Sequence, residues 1–210
     1  MTRDFYPQHA HVPGGLQTDE YILRPLRTTD VELDYEALMV SNKMLRRWGG
    51  GTWPADHFTL AENFIDLERH EREHLVREAF TFTVMGTAQD ICLGCVYFDP
   101  LVKLLKLADN FHEDNLAAAR AGDALVRFWV RQPEVANDLD RILLKGLMGW
   151  LAKDWSFESV FFRANERDIR QVTLLEETGL ALANVVQIPG RNGRFQIYGP
   201  LSERPSNMED

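Results

Sequence analysis

The run Asp123-Ala124-Leu125-Val126-Arg127-Phe128-Trp129-Val130, followed at once by Arg131-Gln132-Pro133-Glu134, decides the fold. Its apolar residues predict a strand that ends in a loop. Beyond the loop, Leu139, Ile142, Leu143, Leu147, Trp150 and Leu151 recur at three- and four-residue spacing, the mark of an amphipathic helix. Val160-Phe161-Phe162 is a second apolar strand, and the helix after it ends at Glu177-Thr178-Gly179. Strand, helix, strand in this order is a βαβ unit. Such a unit leaves a helix N-terminus open at one end of the sheet, where backbone N–H groups and the helix dipole attract anions.

Working outward, residues 1–19 are polar, carry Pro13-Gly14-Gly15, and read as a loose N-terminal arm. Residues 20–201 read as one domain and 202–210 as a frayed polar tail. A first strand is expected over about Tyr21 to Leu26. Thr29-Asp30-Val31-Glu32 and Thr59-Leu60-Ala61-Glu62 are capping boxes that start two helices, the second running to about Arg77. Phe80 to Val84 and Ile91 to Phe98 form a hairpin around residues 86–90, and 99–122 is a variable connection with room for a short helix. Leu182 to Ile188 and Arg194 to Tyr198 flank Pro189-Gly190-Arg191-Asn192-Gly193, a hairpin turn.

A length of 210 residues with 45% hydrophobic and 26% charged side chains suits a single globular domain. The net charge of −9 argues against nucleic acid or an anionic membrane surface as partner and favours a cationic acceptor. The sequence holds no apolar run long enough for a membrane span, and its first residues lack the apolar stretch of a signal peptide, so a cytoplasmic location is expected.

Two motifs mimic metal or redox chemistry. Cys92 and Cys95 form a C-x-x-C inside a strand-like run, where their odd separation predicts side chains on opposite faces and no pairing. No second ligand pair at similar spacing accompanies them. His70-Glu71-Arg72-Glu73-His74 satisfies H-E-x-x-H, the zinc peptidase pattern. Its charged flanks predict a solvated surface helix with i,i+4 ion pairs instead. No metal is expected.

The order of elements, with three particular segments, resembles the GNAT superfamily of N-acetyltransferases. Those segments are Arg127-Phe128-Trp129-Val130-Arg131, the run Asp168-Ile169-Arg170-Gln171-Val172-Thr173-Leu174-Leu175-Glu176-Glu177-Thr178-Gly179-Leu180, and the opening Leu23-Arg24-Pro25-Leu26 with Asp30. The branch most similar is the one that acetylates N-termini of ribosomal proteins and related small-molecule acceptors. The resemblance implies an α/β fold, a mixed sheet of about seven strands flanked by about four helices. It implies transfer of an acetyl group from acetyl-coenzyme A to a primary amine of a small molecule or a peptide N-terminus. It also makes a homodimer an expectation.

The resemblance further assigns roles. Pantetheine would lie along Phe128, Trp129 and Val130, with the phosphates over Asn137, Asp138, Leu139, Asp140, Arg141 and Ile142, and with Arg131, Asp168 and Gln171 at the same site. The glycine positions of the family's pyrophosphate loop fall on Val135, Asp138 and Asp140, so two glycines have become aspartates that repel phosphate. Arg131 or Arg141 would then meet phosphate by charge. The tyrosine that commonly serves as acid is replaced by Leu175, which leaves Asp123, Tyr97 and Asp99 as catalytic candidates. Trp48 and Trp53, either side of Gly49-Gly50-Gly51, would wall the acceptor pocket. The alternative class is a binding or regulatory protein that keeps the fold and has lost the coenzyme.

Overall fold

The computed structural model describes residues 4–109 and 119–201. Its strands are β1 Leu16–Gln17, β2 Ile22–Pro25, β3 Phe80–Met85, β4 Cys92–Pro100, β5 Asp123–Val130, β6 Ser159–Asn165, β7 Leu182–Val186 and β8 Phe195–Tyr198. They form one sheet in the order β1-β2-β3-β4-β5-β6-β8-β7. Its helices are α1 Val31–Val40, α2 Asn42–Gly49, α3 Leu60–Leu75, α4 Leu101–Leu105, α5 Leu139–Asp154 and α6 Ile169–Glu177. This is the mixed α/β architecture read from the sequence. The two-residue β1 raises the strand count to eight, and the short α2 and α4 raise the helices among the described residues to six. None of these helices is long and apolar enough to cross a membrane.

All strand pairs are antiparallel except β5 with β6, because the connection between those two is the long helix α5, which carries the chain back across the sheet. Leu143, Leu147, Trp150 and Leu151 of α5, with Leu174 and Leu175 of α6, bury one face of the sheet against Phe82, Phe98, Val126 and Phe162. On the other face α1, α2 and α3 cover Cys95, Tyr97 and Trp129, while α4 covers Leu125, Phe195 and Ile197.

Residues 4–19, read as a loose arm, are instead packed. Phe5 and Tyr6 are buried, and the Tyr6 ring meets Phe80 and Trp155 edge-on. Arg77 donates to the carbonyls of Pro7, Gln8 and Ala10. Two aromatics and a long-range arginine outweigh the polar composition that suggested looseness. A second correction concerns the first capping box. Thr29 does not cap: residues 28–30 form a 3-10 turn in which the Asp30 carboxylate accepts from the Arg27 N–H at 3.0 Å, and α1 begins at Val31. Asp30 is free to do this because Arg24 neutralises it in a bidentate pair at 2.7 and 2.8 Å. The Thr59–Glu62 box forms as expected, with Glu62 accepting from Thr59 N at 2.8 Å and Thr59 Oγ1 from Glu62 N at 3.2 Å. The tail 202–210 and most of the connection after α4 lie outside the described residues.

One departure from regularity positions the site. The ladder between β5 and β6 runs from Asp123↔Ser159 to Val126↔Phe162 and stops, although β5 continues to Val130 and β6 to Asn165. Over those last residues β6 pairs only with β8, and the two parallel strands splay apart.

Candidate active site

The splay opens a cavity of about 120 Å³ lined by Phe128, Trp129 and Val130 of β5, Gln132 and Val135 of the following turn, and Asp168, Arg170 and Gln171 at the start of α6. With no strand to pair with, the Phe128 carbonyl needs another donor. Gln171 supplies it, donating from Nε2 at 2.8 Å across the gap. The other end of the same amide, Gln171 Oε1, is buried with no hydrogen-bond partner. A carbonyl on one strand and an unpaired amide oxygen opposite it are what a ligand bearing amides can use.

At the mouth, the turn Gln132–Asn137 leads into α5 through Asp138, whose φ of 56° is left-handed. Asp138 thus adopts a backbone shape that glycine takes freely and an aspartate takes at some strain. Its side chain and that of Asp140 converge on Arg170. Arg170 donates from Nε to Asp140 Oδ2 at 2.9 Å, from a terminal nitrogen to Asp140 Oδ1 at 2.8 Å, and to Asp138 as well. The pair raises Arg170 above its ordinary range, and Arg170 in turn holds the Asp138 carboxyl below its own. Asp140 Oδ1 also accepts from the Arg141 N–H at 2.9 Å, so a carboxylate of the protein sits on the first turn of α5, where an external anion would sit.

The sequence-predicted cofactor set divides. Phe128, Trp129, Val130, Asp140, Asp168 and Gln171 line the splay. The others are elsewhere: Arg131 is bound by Glu36 and Arg141 by Glu177, Asn137 donates to Glu134 at 2.9 Å, and Leu139 and Ile142 belong to the core under the sheet. The two arginines expected to meet phosphate by charge are therefore already paired. Sequence reasoning passed over Arg170, the partner of both aspartates, and Arg47, which lines the splay from α2 and has no ion pair among the described residues. Arg170 was visible as a base beside Asp168; Arg47 carried no signal.

Trp48 lines both this cavity and a larger cleft of about 590 Å³, and among the described residues it is the one that does so. Its ring is buried and its indole N–H has no partner. Trp53 is half-buried and lines the larger cleft. The floor is the sheet. Tyr97 accepts the Trp129 indole N–H at 3.2 Å, and burial, with Cys95 and Asp34 nearby, pushes its hydroxyl well above the ordinary range, so it keeps its proton. Beside it Arg127 grips Asp99 through one carboxylate oxygen, at 2.6 and 2.7 Å, and stacks 4.7 Å over the Tyr97 ring. Asp123 does not join them. It stands at the opposite end of β5, where its carboxylate accepts from Arg120 N at 2.8 Å and holds a turn.

Arg163 of β6 lies on the same floor and is 7% exposed, yet among the described residues it makes no hydrogen bond or ion pair. Its guanidinium lies over the Phe195 ring, 4.3 Å from the ring centre, and over that of Trp48, 5.2 Å away. Burial and the adjacent Arg127 press its pKa well below the usual range. An arginine nevertheless stays charged in proteins. Stacking on two rings returns about 0.5 to 2 kcal/mol, against several kcal/mol for burying an ion without a counter-charge.

The two decoy motifs take unforeseen positions. Cys92 and Cys95 share one face, because a bulge between Val84 and Met85 skips Leu93, and Gly94 lies so close to the Trp129 carbonyl that a Cβ would come within 2.1 Å. Both are free thiols, grouped within 4.8 Å with Asp34. Cys95 donates to Asp34 at 3.3 Å and Asn63 to the same carboxyl at 2.9 Å, while burial raises the Asp34 pKa. His70 and His74 face the sheet, not water: His74 packs edge-on to Phe80 and Phe82, and Thr81 hydrogen-bonds both rings. The i,i+4 ion pair expected on this helix is present between Arg69 and Glu73 at 3.4 Å.

No family model matches the sequence, and no curated protein matches it. Solved structures do match the fold. A ribosomal protein S5 alanine acetyltransferase from Vibrio fischeri is similar at a TM-score of 0.66 and 14% identity, over 88% of this chain and 94% of its own. The ribosomal L7/L12 α-N-protein acetyltransferase RimL in complex with coenzyme A is similar at 0.65 and 12%, over 89% and 95%. A spermidine N-acetyltransferase from Vibrio cholerae in complex with coenzyme A and spermine is similar at 0.59 and 13%, over 89% and 98%. At such identities the likeness speaks for the backbone alone, and the chain has the fold of the GNAT acetyltransferases.

Proposed function

We propose that the protein is an N-acetyltransferase that moves the acetyl group of acetyl-coenzyme A to a primary amine. The observation that carries this reading is the splay of β5 from β6. Its backbone carbonyl at Phe128 and the unpaired Gln171 Oε1 offer an acceptor pair for the amides of a pantetheine arm, and Trp48 is shared with a cleft large enough for an acceptor. Two of the structural neighbours hold coenzyme A. In this reading the diphosphate displaces Asp140 from Arg170 and gains Arg47, trading one anion for another at the first turn of α5. Asp99 Oδ1, the oxygen that Arg127 leaves unengaged, takes a proton from the acceptor ammonium, and the neutral amine attacks the acetyl carbonyl. As the carbon–nitrogen bond forms the carbon–sulfur bond breaks, Tyr97, which keeps its proton until then, protonates the departing thiolate, and the proton shed by the nitrogen returns to Tyr97 through solvent. The acceptor is a small molecule or a peptide N-terminus. A cytoplasmic location and a homodimer belong to the same reading.

A second reading, a binding module of the same fold without coenzyme, is favoured by one observation: Asp138 and Asp140 already satisfy Arg170. Calorimetric titration of the full chain with acetyl-coenzyme A separates the two. Saturable binding at a stoichiometry of one, with turnover of an amine, supports the transferase; a flat titration supports the module.

A further inference from the structure

The larger cleft has a charge to spare. Its acids are engaged: Asp66 and Glu73 by Arg69, Asp99 by Arg127, Asp34 by Asn63 and Cys95. Its cations are not all engaged. Arg163 is more than nine-tenths buried, its Nε is unpartnered, and no carboxylate among the described residues pairs with it. Asp99, the acid whose field reaches it, is held by Arg127. Arg191, from the turn between β7 and β8, lines the same cleft with one terminal nitrogen against Gly51, and it too has no ion pair among the described residues. Phe195 and Trp48 fix the plane of the Arg163 guanidinium, so its edge is preorganised for a planar or tetrahedral oxyanion.

We propose that this cleft binds a ligand through an oxyanion, a carboxylate or a phosphate, anchored on Arg163 with Arg191 at the rim. Taken with the acetyltransferase reading, on which this step alone rests, the acceptor carries both an amine and an oxyanion, as an amino acid, a peptide or a phosphorylated amine does. The local charge thus reverses what the net charge of −9 suggested, because the surplus of acids lies outside this floor or is paired within it.

The test uses the full chain without coenzyme A. Succinate, inorganic phosphate and 1,4-diaminobutane are titrated calorimetrically into the wild type, Arg163→Gln, Arg163→Met and, as a control at the other cavity, Arg47→Ala. At least one anion binds the wild type and Arg47→Ala, the diamine does not compete with it, and both Arg163 variants weaken binding about tenfold or more. Succinate alone binding names a carboxylate ligand, and phosphate alone a phosphorylated one. Arg163→Met also unfolds at the same or a higher temperature, since removing a buried unpaired charge does not destabilise. No anion binding, or binding that survives loss of Arg163, overturns the proposal whether or not acetyl-coenzyme A binds. A melting temperature that falls sharply in Arg163→Met, with anion affinity kept in Arg163→Gln, makes Arg163 a packing residue and overturns it equally.

Discussion

The two cavities that share Trp48 handle charge in opposite ways. At the mouth of the splay Arg170 is matched by Asp138 and Asp140, and the arginines expected to meet a phosphate are matched as well, Arg141 by Glu177 and Arg131 by Glu36. On the floor of the larger cleft Arg163 is buried with no ion-pair partner among the described residues. A paired site must break an interaction before it takes a ligand, whereas an unpaired one gains from the first suitable ligand that arrives. Under the proposed function, the energetic hurdle to coenzyme binding lies at one cavity and the selectivity for acceptor at the other.

The largest expected effect comes from removing the shared wall. Trp48→Ala deletes a buried ring that touches both cavities, and the loss is about 3 to 5 kcal/mol of stability, read by chemical denaturation. A loss under about 1 kcal/mol, within the range of surface changes, would mean that the cavities do not share a packed wall. Next, Arg170→Ala strips Asp138 and Asp140 of their partner and leaves Asp140 buried. Stability falls by about 1 to 3 kcal/mol. If Arg170→Ala is neutral, the mouth of the splay is not a charge-matched site and the contrast fails. Smaller again is Arg47→Ala, which removes the cation of the splay that has no ion pair among the described residues and weakens acetyl-coenzyme A by roughly tenfold, about 1.4 kcal/mol, while Arg141→Ala, an exposed partner of Glu177, leaves the affinity unchanged. The reverse ranking would return the phosphates to the position first read from sequence.

The smallest effect belongs to α3, just beyond its residues that line the larger cleft. Burial against Phe80 and Phe82 lowers the His74 pKa. A depressed histidine contributes stability above its unfolded value, about 6.5, that is lost as pH falls through the folded value. Stability of the wild type therefore declines on the acid side of pH 6.5, and His74→Phe flattens that decline. An unaltered pH profile in His74→Phe would place the titrating group elsewhere.

What was legible in the sequence was local. The apolar run of β5, the three- and four-residue spacing of α5 and the Thr59–Glu62 cap each depend on residues within one or two turns of each other. What was not legible depends on how distant strands and helices meet. The bulge opposite Val84 reverses which way Cys92 points, and nothing in the C-x-x-C spacing announces it. Asp138 and Asp140 read as repulsive because Arg170, some thirty residues on, has no fixed relation to them until α6 docks beside α5. Arg163 looked like any strand arginine; only the register beside Arg127 and the arrival of Phe195 and Trp48 from elsewhere show it buried with no ion pair among the described residues. Asp123 erred in the same manner, since its distance from the cleft is set by which end of β5 faces the splay.

The central claim is that the splay is a coenzyme seat whose phosphate position is held by the protein's own carboxylates. Titrating acetyl-coenzyme A into the wild type and into Asp138→Gly/Asp140→Gly tests it most directly. Glycine suits the left-handed backbone at 138, and the double substitution frees Arg170, so the account predicts binding by the wild type and severalfold tighter binding by the variant, despite about 1 kcal/mol lost from the helix at 140. No binding by either protein, with the variant still folded, would contradict it.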